Sequence, residues 1–521
     1  MRHAILATLA LLLAGCVPTE GGGPTTISAM RPGVPATAVA VTRQADPPPP
    51  DAATPRTPAR PIPGFQAVIE QPVTTIPLGA DTASWGVARR MLRMGRVPPR
   101  EAIRPEEFLN AFAYSYPAGT TARPLNPTVA VFPAPWDASR RLLHIGIRSY
   151  EPPRGERPPL NLTFLIDASV SMFTEDRLTT VIAGIRALLP SFGERDRISI
   201  VTYASGTRSL LEATSGARKP FIEAALDDIR PSGGAMGVSG IDAAYALAGR
   251  NLAPGAINRV ILITDGDFNL GAASPQALEA NIRAQRQRGI RLTAISVGLD
   301  TPADTTMRSL AHAGGGIHAF AADAADVQRI VSEEFTRNIS AGAQSVRLEV
   351  EFNGFRVQEY RLIGFSSRAL SRSDFESDRV GADDIAAGRA ITAVFEMASP
   401  VTNFVGYADP LRATRANPSA PSDGDDPGNE YAILRIRHGS DGQVIRRAII
   451  ERDARASFAA APADSRFAAS LAGFAQMLRR AESITWPYAE IATAAAAAMG
   501  ENPDGRRADL VALARAAAAL R

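Results

Sequence analysis

Asp167, Ser169 and Ser171 alternate through Asp167-Ala-Ser-Val-Ser171 directly after the apolar run Phe164-Leu-Ile166, and a second apolar run, Val260-Ile-Leu-Ile-Thr264, delivers another carboxylate, Asp265. Two carboxylates and two hydroxyls form an all-oxygen donor set. Such a set suits a hard cation such as Mg²⁺, which takes octahedral oxygen coordination and keeps several waters. Asp-x-Ser-x-Ser alone also serves as a turn that caps the next helix. The repeated strand-end carboxylate at Asp265 is what points to a metal. Asp267 and Asn269, just beyond it, read as turn residues of a polar loop.

Other chemistry is poorly provided for. The five histidines, His3, His144, His312, His318 and His438, show no metal-ligand spacing. Gly314-Gly-Gly316 lacks the lysine of a phosphate loop, and no Gly-x-Ser-x-Gly elbow occurs. A strand-end cation could activate water in a hydrolase. No general base of suitable type accompanies the cluster, however, so binding rather than catalysis is expected. The 56 basic and 53 acidic residues leave a net charge of +3, and Lys219 is the only lysine. No basic stripe with interleaved aromatics suggests nucleic acid.

The elements that must position the cluster fall in residues 159–340. Short β-branched runs at Leu162–Ile166, Ile198–Tyr203, Val260–Thr264 and Leu292–Val297 read as strands buried on both faces. Helical patterns at Leu178–Leu189, Pro220–Ile229, Ile241–Arg250, Pro275–Arg288 and Thr305–Ala313 separate them. This alternation predicts an α/β fold, a doubly wound, mostly parallel sheet. Ligands of such sheets gather beyond the carboxyl ends of the strands, where Asp167 and Asp265 stand.

At 521 residues the chain exceeds what one core usually serves. Residues 66–158 are expected to form a small N-terminal α+β domain, with helices near Thr82–Met94 and Pro105–Phe112 and strands near Thr128–Phe132 and Leu142–Ile147. Period-two alternation at Val346, Leu348, Val350 and Phe352, and again at Ala432, Leu434 and Ile436, predicts a β-rich domain over residues 341–460. Helices over Asp464–Arg480, Tyr488–Met499 and Ala508–Leu520 form a tail over residues 461–521.

The N-terminus has a basic start at Arg2 and His3, an apolar run from Ala4 to Leu13, and then Leu13-Ala-Gly-Cys16. It reads as a secretory signal, too short to span a bilayer comfortably. The ending resembles the bacterial lipobox, which implies a signal peptide over residues 1–15 and lipid on Cys16. Several acyl chains satisfy the need for more than one lipid in stable anchoring. With Cys16 acylated, no thiol remains for an intramolecular disulfide. Residues 16–65, rich in Pro, Thr, Ala and Gly, read as an extended spacer. Val17 in place of Asp, by resemblance to lipoprotein sorting in Gram-negative bacteria, implies the outer membrane, facing the periplasm.

Asp167-x-Ser169-x-Ser171 with Thr264-Asp265-Gly266 resembles the metal-ion-dependent adhesion site of von Willebrand factor type A domains. The resemblance implies Mg²⁺ held by Ser169 and Ser171 directly and by Asp167 and Asp265 directly or through water. It also implies an open coordination position for an acidic side chain of a protein partner. The family's third loop, Gly-Gly-Ser-Thr, corresponds here to Pro231-Ser-Gly-Gly-Ala-Met-Gly-Val-Ser-Gly240. Matching the glycine pair sets Met236 at the threonine, and matching Gly240-Ile241 sets Ala235 there. Neither has a hydroxyl; Ser232 or Ser239 could supply one only if the loop shifts.

Beyond the centre, Asp81-Thr-Ala-Ser-Trp85, Ile103-Arg-Pro-Glu-Glu-Phe-Leu-Asn110, Thr264-Asp-Gly-Asp-Phe-Asn269 and Glu359-Tyr-Arg-Leu-Ile-Gly364 are similar to the bacterial envelope proteins of YfbK type. The expectation is therefore an envelope lipoprotein that binds a protein partner through its A domain. A metal-independent structural scaffold is the alternative.

Overall fold

The computed structural model describes residues 64–520 apart from 80, 152–157, 235, 267–273, 299–303, 338–340, 366–382, 400–428, 440–441, 482–483, 501 and 503–504. Cys16, the signal segment and the spacer up to residue 63, together with Ala235, Asp267 and Asn269, lie outside the described residues.

Before the central segment come strands β1 (Gln66–Ala67) and β2 (Val73–Ile76), helices α1 (Ala83–Arg93) and α2 (Pro105–Leu109), and a hairpin of β3 (Leu125–Ala134) and β4 (Asp137–Ser149). The central segment then runs β5 (Leu160–Asp167), α3 (Arg177–Leu188), β6 (Arg197–Tyr203), β7 (Thr207–Ser215), α4 (Lys219–Asp227), α5 (Gly237–Arg250) and β8 (Ile257–Thr264). It ends with α6 (Pro275–Gln287), β9 (Arg291–Ser296), α7 (Asp304–Ala313), β10 (His318–Phe320) and α8 (Ala324–Arg337). Its six strands lie in the order β10-β9-β8-β5-β6-β7, parallel except for β7.

Every residue of β5 and β8 is buried, as expected of central parallel strands covered on both faces. Alternation along each strand feeds two cores. Phe164, Ile166, Ile261 and Ile263 pack with Val181 and Ile185 of α3 and Val327 and Val331 of α8. Leu165, Val260 and Leu262 pack with Ile241 and Tyr245 of α5, Ile282 of α6 and Leu310 of α7. The doubly wound expectation thus holds. The sequence reading missed β7, a polar edge strand with little apolar signal, and the three-residue β10.

The flanking segments correct the expected boundaries. Strands β11 (Ala341–Phe352), β12 (Glu359–Leu362), β13 (Asp383–Ala386), β14 (Ala390–Ala398), β15 (Glu430–His438) and β16 (Gln443–Ile450) do not close a domain of their own. One sheet runs β1-β12-β14-β4-β3, and the other runs β13-β11-β15-β16 with β2 also paired to β11. Both sheets therefore mix strands from before and after the central segment. The described strands of residues 66–158 and 341–460 form one antiparallel sandwich instead of two domains, and the α/β domain is inserted between β4 and β11. The physical reason is the free edge of the β3–β4 hairpin, whose unpaired backbone groups are satisfied by β14 along Ala390–Ala398. Between the sheets, Leu143, Ile145 and Ile147 share a core with Leu348, Val350, Phe352, Leu434 and Ile436.

Helices α9 (Ala463–Leu478), α10 (Tyr488–Ala497) and α11 (Arg507–Ala519) join α1 and α2 over the outer face of the first sheet. The inserted domain is tied to this layer by charge. Asp81 accepts a hydrogen bond from the His318 backbone N–H (2.8 Å) and faces His312 Nε2 at 2.8 Å and Arg308 at 3.3 Å. Arg89 of α1 binds Asp326 and Asp323 of the α/β domain.

His144 of β4 is buried between the Tyr116 hydroxyl (2.8 Å from Nε2) and Ser465 Oγ (3.0 Å from Nδ1). Burial, against the opposing pull of Asp464, lowers its pKa from 6.5 to about 4. The folded state therefore binds fewer protons than the unfolded chain between those values. Its stability contribution is complete above the unfolded pKa and is lost as pH falls toward 4, by at most about 3 kcal/mol. Urea unfolding at pH 7 and pH 4.5 should show a smaller acid loss in His144→Gln than in the unsubstituted chain. Equal losses would contradict this account.

Candidate metal-ion site

Parallel register sets the site. Ile166 of β5 lies beside Ile263 of β8, and Asp167 lies beside Tyr203 of β6. The three strands therefore end at one level, and Asp167 and Asp265 emerge from neighbouring strands at the same edge of the sheet. After Asp167 the chain is held by backbone bonds from Ala168 N–H to Tyr203 O (2.9 Å) and from Val170 N–H to Gly233 O (3.2 Å). The Ser232 N–H donates to Ala168 O at 2.8 Å, docking the third loop against the first.

Asp167 is fully buried. Its Oδ1 accepts from the Ser169 N–H (2.9 Å), and its Oδ2 accepts from Thr264 Oγ1 (2.9 Å) and the Tyr203 hydroxyl (3.2 Å). Ser169 Oγ stands 3.0 Å from Ser171 Oγ. Asp265, also buried, accepts from Arg177 Nη1 at 2.7 Å. The same guanidinium nitrogen donates to the Ser171 carbonyl at 3.3 Å. Asp167, Ser169 and Ser171 are thus joined directly, and Asp265 is linked to the Ser171 carbonyl through Arg177.

Burial raises the Asp167 carboxyl above the ordinary Asp range, and the nearby negative charge of Asp265 adds to the rise against the hydrogen bonds from Ser169 and Thr264. Burial, with Asp167 beside it, likewise pushes the Tyr203 phenol well up. Two buried like charges at one sheet edge favour a neighbouring cation.

The donor set fits a hard divalent ion. Metal–oxygen bonds of about 2.0–2.1 Å set adjacent octahedral ligands roughly 2.9 Å apart. Ser169 Oγ and Ser171 Oγ, hydrogen-bonded to each other at 3.0 Å, are near enough to serve as adjacent ligands. These hydroxyls, with the carboxylates of Asp167 and Asp265, are the residues that would hold Mg²⁺. The third loop brings less. Met236 is docked through its N–H to Ala204 O (2.9 Å), its side chain is exposed, and the Ser239 hydroxyl donates to Met236 O (3.0 Å) and accepts from Thr207 Oγ1 (3.4 Å).

Tyr203, Thr264 and Arg177 contact the two carboxylates, and sequence reasoning did not assign them to the site. Tyr203 ends the predicted strand beside Asp167, so register identifies it once strand order is known. Arg177 opens α3, where a positive charge runs against the helix dipole, but its place in Glu175-Asp-Arg177 gives no sign that Asp265 is its partner.

A doubly wound sheet with an acidic and hydroxyl-lined edge defines the class: a von Willebrand factor type A domain protein. The family model "von Willebrand factor type A domain" matches residues 161–333, a model described as "von Willebrand factor" matches 61–144, and the model "Uncharacterized protein YfbK, C-terminal" matches 338–520. "Uncharacterized protein YfbK" of Escherichia coli (strain K12) is 34% identical over 459 residues, covering 86% of this chain and 78% of that protein. The chain belongs to the YfbK family. Inter-alpha-trypsin inhibitor heavy chain H2 of Homo sapiens is 27% identical over 158 residues, 29% of this chain and 17% of that protein. A solved structure described as von Willebrand factor type A from Catenulispora acidiphila overlaps 75% of this chain and 95% of its own at a TM-score of 0.40 and 14% identity.

Proposed function

We propose that this protein is a lipid-anchored envelope protein that captures a protein partner through the A domain, with Mg²⁺ at Asp167, Ser169, Ser171 and Asp265. The observation that carries the reading is the convergence of two buried carboxylates with two hydroxyls 3.0 Å apart at one sheet edge. Bound Mg²⁺ would supply an open coordination position for an acidic side chain. Tyr203 and Thr264 hold Asp167 in place, and Asp167 in turn orients Ser169 through the turn at its N–H. Val170, Phe173 and Met236, each more than half exposed on the two loops beside the site, offer apolar contact to the same partner. The role is binding rather than turnover. The anchor rests on the Leu13-Ala-Gly-Cys16 ending, and the outer membrane is the proposed location.

Capture from envelope extract by the full chain is the test, run with Mg²⁺ and with chelator alongside calorimetric titration of Mg²⁺ and Mn²⁺. Expected are heat of binding, capture lost in chelator, and release of Cys16→Ser from the membrane fraction. Chelator-insensitive capture without heat would instead support a metal-independent scaffold. One observation favours that second reading: Arg177 already neutralises Asp265 without a metal.

A further inference from the structure

We propose that Arg177 is a built-in counter-cation that competes with a divalent metal for Asp265 and so sets the metal affinity of the site. The inference rests on the reading of the cluster as a metal site, and it concerns what this chain itself sets against the metal.

The guanidinium is held against one candidate ligand, Asp265. Nη1 bridges Asp265 Oδ2 (2.7 Å) and the carbonyl of Ser171 (3.3 Å), joining the two loops that carry candidate ligands. Its side chain is only 7% exposed and that of Asp265 3%, so neither charge is compensated by water. A buried charge of this kind is stabilised by a charged partner, and Arg177 and Asp265 each supply one to the other. The slot itself is shaped for the side chain. Gly298, just past β9, adopts a left-handed φ of +80°, and a Cβ there would come within 2.5 Å of Arg177 Nε. Glycine at that position leaves room for the guanidinium.

Among the described residues of the cluster, Asp167 and Asp265 carry two negative charges when ionised, and the Arg177 guanidinium offsets one of them. A dication approaching Asp265 therefore meets a fixed positive charge on the same carboxylate. Removing Arg177 both frees Asp265 Oδ2 from the guanidinium and restores the attraction of two carboxylates.

The test is calorimetric titration of the full chain with Mn²⁺ and Mg²⁺, comparing the unsubstituted protein with Arg177→Met. The variant should bind at least about ten-fold tighter. Its thermal midpoint should fall in chelator and recover with Mn²⁺ by more than the unsubstituted chain gains. Equal or weaker affinity in the variant would overturn the proposal and make Arg177 a positioning residue for Asp265. Failure of both proteins to bind either ion would overturn it as well. If Arg177→Met does not fold in chelator, Arg177→Gln, which keeps a donor for the Ser171 carbonyl, takes its place under the same criteria. Binding by the variant alone would support competition while removing the metal from the native chain's partner capture. The chelator experiment on capture reads that second point independently.

Discussion

Asp167→Ala is expected to abolish divalent-cation binding and to lower stability by about 3 kcal/mol. The stability loss follows from three buried donors, the Ser169 N–H, the Tyr203 hydroxyl and the Thr264 hydroxyl, that lose their common acceptor. Each unsatisfied buried donor costs about 1–3 kcal/mol, and rotation of the two hydroxyls offsets part of the sum. Burial already disfavours the charged form of Asp167, which offsets a little more. Asp167→Asn separates the two effects. It keeps an acceptor for the Ser169 N–H and presents an amide to two hydroxyls able to accept, so the fold should stay within about 1 kcal/mol of the original. Cation binding should still be lost with the charge. Urea unfolding and Mn²⁺ titration on both variants check this, and an Asn variant that binds Mn²⁺ as tightly as the unsubstituted chain would rule out Asp167 as a ligand.

Arg361→Met should destabilise the sandwich by about 3–5 kcal/mol, because it strands a carboxylate in the interior. Arg361 and Glu396 face each other across β12 and β14, with side chains 5% and 1% exposed. Glu396 also accepts from Trp136 Nε1 (3.0 Å), and Arg361 reaches Gln476 Oε1 of α9 at 2.9 Å. The pair thus fastens the helical layer to the sheet. Adding Glu396→Met should restore part of the loss, since the uncompensated charge is gone while Trp136 and Gln476 still lack their partners. A double-mutant cycle by chemical denaturation should give a coupling of about 1–3 kcal/mol, and additive losses would show that the two side chains act separately.

The α/β domain was legible because its strands are apolar runs bounded by turns, and burial on both faces imposes that composition directly. Asp167 and Asp265 were legible for a related reason: the first polar residue after a buried parallel strand falls on the ligand-binding edge. Arg177 was obscured by its surroundings, since Glu175-Asp-Arg177 reads as one more charged turn and only coordinates bring its guanidinium to Asp265. The flanking architecture was hidden for another reason. Ile145 and Ala393 are partners in one sheet, yet nothing in the residues of either strand says which distant strand completes the pair. Residues 66–158 and 341–460 therefore read as two units.

The insertion between β4 and β11 also fixes an order of events during synthesis. Strands β1 to β4 leave the ribosome first, but their partners β12, β14 and β11 follow only after the whole A domain has been made. The A domain has all its own strands by Phe320 and can complete its core while the earlier hairpin still presents a bare edge. Closure of the sandwich is then a late, long-range step, and the waiting edge of β4 needs protection from wrong partners in the meantime.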